Sequence, residues 1–173
     1  MRILAFDISS VHTGVSVIDG YGYIDLSSVG TIDPPPKFSI GQKLLYFEQA
    51  VKKLIKKYAP DEIVIEDIFH GPNAKTFKVL AQFRGVALKI IWEKTGREAH
   101  SLMPMEARRI VGIRYKKEEA FADATKLFGL KDWDFTKTND MVDSIVLGMA
   151  LYRLLTGQAT LSVKPTKRKR KSK

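Results

Sequence analysis

From Met141 to Leu155 the chain reads MVDSIVLGMALYRLL, a helical stretch that is apolar on nearly every side beyond its acidic start, with only Ser144 and Arg153 interrupting. A helix of that kind cannot lie on a surface and has to be packed on several sides. The remaining chain must therefore supply layers to enclose it. At 173 residues and 45% hydrophobic, the chain is long enough for one domain with a sizeable core and too short for two large ones.

The pattern upstream provides those layers. Arg2 to Ile8, Thr13 to Asp19 and Gly22 to Gly30 read as three strands joined by short turns, and connections that short join antiparallel neighbours. A connector with three consecutive prolines spans Asp33 to Phe38. Ile40 to Tyr58 places Leu44, Phe47, Val51, Leu54 and Ile55 at helical intervals with lysines between, which predicts an amphipathic helix. EIVIEDIF follows as a strand, then a turn-rich HGPNA and a helix from about Ala74 to Lys94, with Asn73 as N-cap and Gly96 as stop. Glu98 to Met103 is a further strand, so strand, helix and strand form a parallel right-handed unit. Two helices follow Pro104 and Lys116, and Asn139 is read as the cap of the last one, which runs to about Leu155. The fold class is α/β, with a mixed sheet that starts antiparallel and continues parallel.

Four carboxylates stand where these apolar runs begin or end: Asp7, Glu66, Asp140 and Asp143. Two charges about 4 Å apart repel by roughly 4 kcal/mol at an effective dielectric of about 20, so four acids gathered at one point need divalent cations. An all-oxygen donor set suits Mg²⁺ or Mn²⁺ rather than zinc. Singly, each acid has a structural explanation: a turn former at Asp7, a solvent-facing strand residue at Glu66, helix-dipole partners at Asp140 and Asp143. The pairing of Glu66 with Asp67 guarantees only that one of them faces each side of the sheet. Asp140 and Asp143 lie one helical turn apart, close enough to ligate one cation together.

The net charge of +10 suggests a nucleic-acid binder, but the last ten residues, KPTKRKRKSK, hold seven of the 29 Lys and Arg. The remaining 22 exceed the 19 acids by only three. Residues 164–173 are therefore read as a disordered basic tail that grips polyanions, and residues 1–163 as the domain. Arg108, Arg109, Arg114, Lys116 and Lys117, with Tyr115 among them, suit a phosphate-contacting edge, and a solvated helix face explains them as well. Phe69, flanked by turn residues, is either a loop anchor or a group that stacks on an unpaired base. His12, His70 and His100 lack metal-ligand spacing. With no cysteine there is no disulfide framework or thiol nucleophile, and no run of apolar residues suits a signal peptide or a membrane span. A cytoplasmic location is expected, in the host if the source is viral.

The order and separations of several short motifs resemble a known family. Asp7 precedes a turn ending Thr13-Gly14, Ile65-Glu66 is followed by Phe69 and Asn73-Ala74, Gln82 to Leu88 reads QFRGVAL, Arg109 to Gly112 reads RIVG, and Asp140 and Asp143 open an apolar helix. Together these resemble the RuvC-type Holliday junction resolvases of the ribonuclease H-like superfamily. The resemblance implies a five-stranded mixed sheet flanked by helices, two cations held by Asp7, Glu66, Asp140 and Asp143, and paired nicks in four-way DNA that leave 5′ phosphate and 3′ hydroxyl. It further implies a homodimer joined through the Asn73 to Lys94 helix, with Phe69 entering the opened junction. Family members usually carry Pro-Gly after the first Asp, where this chain has Ile8-Ser9. Three other readings stand beside this one: a ribonuclease H-like enzyme for RNA/DNA hybrids or other branched nucleic acids, a sugar-kinase-like fold suggested by FDISSVHTG, and a non-catalytic junction-binding module.

Overall fold

A computed structural model describes residues 1–68 and 73–160. Phe69, His70 and the basic tail lie outside the described residues. Five strands form one sheet: β1 (Ile3–Asp7), β2 (Thr13–Ile18), β3 (Gly30–Ile32), β4 (Glu62–Glu66) and β5 (His100–Leu102), in the order β3-β2-β1-β4-β5. The β1–β2 and β2–β3 pairs are antiparallel, while β1–β4 and β4–β5 are parallel. The α/β reading with an antiparallel start and parallel additions is therefore what the chain adopts.

Five helices cover the two faces: α1 (Ile40–Tyr58), α2 (Ala74–Thr95), α3 (Pro104–Val111), α4 (Lys117–Leu127) and α5 (Phe135–Leu155). Strand alternation sorts the core. Leu4, Phe6, Ile63 and Ile65 pack on α1 and α2, whereas Ile3, Ala5 and Val64 pack beneath α3, α4 and α5. The helix that is apolar nearly all round, α5, lies in the second layer, with Val142 and the run from Ser144 to Tyr152 buried.

Two expectations about boundaries are corrected. β3 is Gly30–Ile32 rather than Gly22 to Gly30, because Asp25 caps a short 3-10 turn at Leu26–Ser28 that breaks the extended run. α5 begins at Phe135, not at Asn139, because the side chain of Asp134 accepts from the backbone N–H of Thr136 and caps the helix five residues earlier. Asp140 and Asp143 are consequently beyond the first turn, where the helix dipole gives little reason for an acid.

Two glycines let α5 approach the sheet. A Cβ on Gly14 would stand 1.9 Å from the carbonyl oxygen of Asp140, and one on Gly148 would stand 2.7 Å from Cγ1 of Ile18. At Gly14 the obstacle is backbone and cannot turn aside. Gly14→Ala is expected to destabilise the fold by about 1–3 kcal/mol and to displace Asp140. Thermal unfolding checks the first effect, and an unchanged melting temperature would show that α5 does not depend on this contact.

Candidate active site

Strand parity decides which way the first two acids face. Asp7 follows Ile3 and Ala5 in alternation and Glu66 follows Val64, so both belong to the face covered by α5. The β1–β4 register pairs Phe6 with Ile65, which brings Asp7 and Glu66 level with each other at neighbouring strand ends. Asp67 takes the other face, where it meets Arg84 at 3.1 Å. The turn after β1 is closed locally: Thr13 Oγ1 donates to the Ser9 carbonyl at 2.8 Å and accepts from the Ser9 N–H at 3.1 Å. β2 thus returns with Gly14 beside Asp7, under the Asp140 turn of α5.

The four carboxylates share one electrostatic site. Burial pushes the Asp7 carboxyl well above its ordinary pKa, and the charges of Glu66, Asp143 and Asp140 push it further. Glu66 is raised chiefly by burial, and its side-chain hydrogen bond with Asp7 works in the opposite direction. Burial also raises Asp140, against the pull of Lys117. Two cations balance the helical pair. Arg108 Nη2 donates to Asp143 Oδ1 at 3.2 Å, and Lys117 Nζ stands 3.8 Å from Asp140 and 3.7 Å from Asp143.

As arranged, no three acid, histidine or cysteine side chains among the described residues surround a single point closely enough to hold an ion. The donor set nevertheless fits a hard divalent cation. Its donors are all oxygen, and Arg108 and Lys117 pair with Asp143 and Asp140, so the ionised forms of Asp7 and Glu66, which burial and mutual repulsion disfavour, are left for a bound cation to stabilise. Each additional positive charge placed among them would lower the cost of ionising the buried pair.

The basic residues separate into two groups. Arg108 and Lys117 stand among the acids rather than on an edge, and the second Arg108 amino group donates to the Tyr115 carbonyl at 2.7 Å. Arg109, Arg114 and Lys116 line a neighbouring cleft of about 550 Å³ together with Tyr115. Within it Arg114 is committed to Asp123 through Nε and Nη2, both at 2.8 Å, which holds that carboxyl down at about 2. Sequence reasoning missed Asp33, which follows β3 and binds Nδ1 of His12 at 2.8 Å beside Asp140. Its only mark in the sequence is its position before the prolines.

A mixed sheet in this order, with carboxylates at adjacent strand ends facing an acid-bearing helix, defines the ribonuclease H-like class of nuclease folds. Among solved structures, the chain is similar to Thermus thermophilus RuvC in complex with a Holliday junction substrate, with a TM-score of 0.76 at 15% identity over 91% of this chain and 96% of that one. It is also similar to the yeast mitochondrial Holliday junction resolvase Ydc2, with a TM-score of 0.59 at 12% identity over 87% of this chain and 77% of that one. Both likenesses concern the fold. Residues 3–148 match the family of the crossover junction endodeoxyribonuclease RuvC, and the chain belongs to that family. The RuvC of Dictyoglomus thermophilum is 29% identical over 150 residues, 85% of this chain and 93% of its relative. That of Corynebacterium diphtheriae is 28% identical over 151 residues, 84% and 90% respectively.

Because folded Asp7 and Glu66 keep their protons to higher pH than in the unfolded chain, the folded state binds more protons across that window. Stability contributed by these groups is therefore present at low pH and is lost as pH rises through their raised values. Asp7→Asn is expected to raise the melting temperature at neutral pH, to flatten its fall as pH rises above the ordinary carboxylate range, and to abolish a rise caused by Mg²⁺. Differential scanning calorimetry of both proteins checks all three, and a variant less stable than wild type at neutral pH would contradict the repulsion.

Proposed function

We propose that this RuvC-family endodeoxyribonuclease resolves four-way DNA junctions by symmetric paired nicks, with Asp7, Glu66, Asp140 and Asp143 as its metal-binding catalytic acids. The observation that carries the reading is that one family match, residues 3–148, spans all four acids, and that these same acids share one electrostatic site on the α5 side of the sheet. Mg²⁺ or Mn²⁺, two per site, would when bound activate the attacking water and stabilise the departing 3′ oxygen, giving 5′ phosphate and 3′ hydroxyl ends.

The chain's own residues supply the positioning. Asp7 and Glu66 project from adjacent strands tied by backbone hydrogen bonds, so their separation cannot drift. Asp140 and Asp143 present one turn of α5 opposite them, and Gly14 sets how closely that turn descends. Arg108 and Lys117 place positive charge where a phosphodiester must enter, which offsets the repulsion between four carboxylates and an anionic strand. A homodimer joined along α2 suits this reaction, since two sites related by a two-fold axis match the symmetry of a four-way junction. Residues 1–163 form the nuclease domain in this reading. Phe69 enters the junction centre, Arg109, Arg114 and Lys116 contact phosphates, and the basic tail holds DNA non-specifically.

The direct test is a labelled four-way junction with Mg²⁺, alongside an RNA/DNA hybrid and a single strand. Wild type is expected to cut the junction preferentially, and Asp7→Asn to bind it and leave it uncut, with a loss of at least ~10²-fold in rate. Cutting by Asp7→Asn at the wild-type rate would remove Asp7 from the metal site, and preference for the hybrid would favour a ribonuclease. For Phe69→Ala, cleavage is expected to fall more than junction binding does. Unchanged cutting would make Phe69 an anchor of its loop.

A further inference from the structure

The end of the sheet away from the four acids carries a surface that junction cleavage does not use. β1 and β4 begin there and β2 ends there, so it is separated from Asp7 by the length of β1, roughly 13 Å or more. Two adjoining clefts open on it. The larger, of about 720 Å³, runs between the last turns of α1 and α2 and is lined in part by Lys53, Lys56, Lys94 and Arg97, all exposed. The smaller, of about 560 Å³, is bounded by Arg2 and Tyr21 and shares Ala59 and Asp61 with the first. Asp61 is the acid common to both, and its carboxylate is already engaged by the backbone N–H of Arg2 at 2.6 Å. Lys52, also on the larger cleft, is paired with Glu48.

Beside these clefts, a tight turn holds two tyrosines out in water. The Asp19 carboxylate accepts from the N–H of Tyr21 at 2.9 Å and of Tyr23 at 3.0 Å, and the Asp19 N–H donates to the Tyr23 carbonyl at 2.9 Å. The turn is braced from within, yet Tyr21 is 84% exposed and Tyr23 71%. Favourable interaction with helix C-termini accounts for Lys56 and Lys94, since both lie in last turns. Arg97, beyond the end of α2, donates from Nη2 to the Pro60 carbonyl at 3.1 Å and so presents its charge at the cleft, and helix ends do not account for two large rings left mostly in water. Exposed aromatic faces next to a cationic groove are the combination that holds unpaired nucleic acid, with bases stacked and the backbone following the charge.

We propose that this pole is a second nucleic-acid site that takes single-stranded DNA, with bases stacked on Tyr21 and Tyr23 and phosphates running into the cleft of Lys53, Lys56, Lys94 and Arg97. The choice of DNA rests on the nuclease reading, and the surface itself does not. A resolvase with this site would hold a free strand near the junction while its acids engage the crossover.

The test uses the full chain carrying Asp7→Asn, saturated with unlabelled four-way junction, and follows the anisotropy of a fluorescein-labelled oligo(dT) of about 20 nucleotides. Tyr21→Ala with Tyr23→Ala is expected to weaken oligonucleotide binding ~10-fold or more, and Phe at both positions to restore it. Lys53→Gln and Lys56→Gln together are expected to lower the salt slope of binding by about 1.4. The same substitutions with Asp7 intact should leave the rate of junction cleavage unchanged. Equal oligonucleotide affinity for wild type and the tyrosine variant would overturn the proposal. So would displacement of the oligonucleotide by poly-glutamate as effectively as by unlabelled DNA, which would mark a surface for an acidic protein. Should the oligonucleotide respond as expected while wild type fails to cut junctions, the nuclease reading falls and the second site stands.

Discussion

The close descent of α5 onto β1 and β2 is the contact on which the rest of the molecule depends. It buries the most apolar helix of the chain, fills the core on one face of the sheet, and lowers Asp140 and Asp143 toward Asp7 and Glu66. Gly14 and Gly148 permit it, one beneath the acid-bearing turn and the other further along the helix. The hydrophobic gain from that burial offsets the repulsion gathered at the acidic end. Stability and chemistry thus meet on one helix, whose apolar length holds the fold and whose polar end opposes it.

That opposition explains the arrangement of charge around the acids. Carboxylates drawn out of water and toward one another hold their protons to higher pH and attract cations. Burial raises the pKa of Asp7 and Glu66 on the strand ends, while Asp143 and Asp140 draw Arg108 and Lys117. The two sides of the site differ in how readily they accept a competing cation. Displacing Lys117 from contacts near 3.8 Å costs little, whereas Arg108 is also held by the Tyr115 carbonyl.

Much of this was legible in the sequence because it rests on periodicity. The alternation in β1 and β4, the spacing in α1 and the nearly all-apolar α5 each carry their own evidence, and they place all four acids on elements without reference to any partner. What escaped depends on competition between local signals or on pairing in space. Asn139 is a good cap in isolation, but Asp134 captures the Thr136 amide first. The alternating run from Gly22 looks extended until Asp25 folds Leu26–Ser28 into a turn. A row of basic residues from Arg108 to Lys117 reads uniformly, yet one arginine faces a half-buried acid, another clasps Asp123, and Lys116 reaches toward Glu119. Nothing in residue type separates a committed cation from a free one.

The parity of β1 and β4 has a consequence for how such a site can change over time. Asp7 and Glu66 share a face because each lies an even number of positions along its strand from Ile3 and Val64, which pack under α5. Inserting one residue in either strand would turn its acid toward α1 and α2 and leave Phe6 or Ile65 in its place. The strands therefore act as a reading frame. Substitution can adjust the chemistry by degrees, but a change in length passes through inactivity, so descendants of this chain should vary in their turns and tails and keep the spacing of these strands.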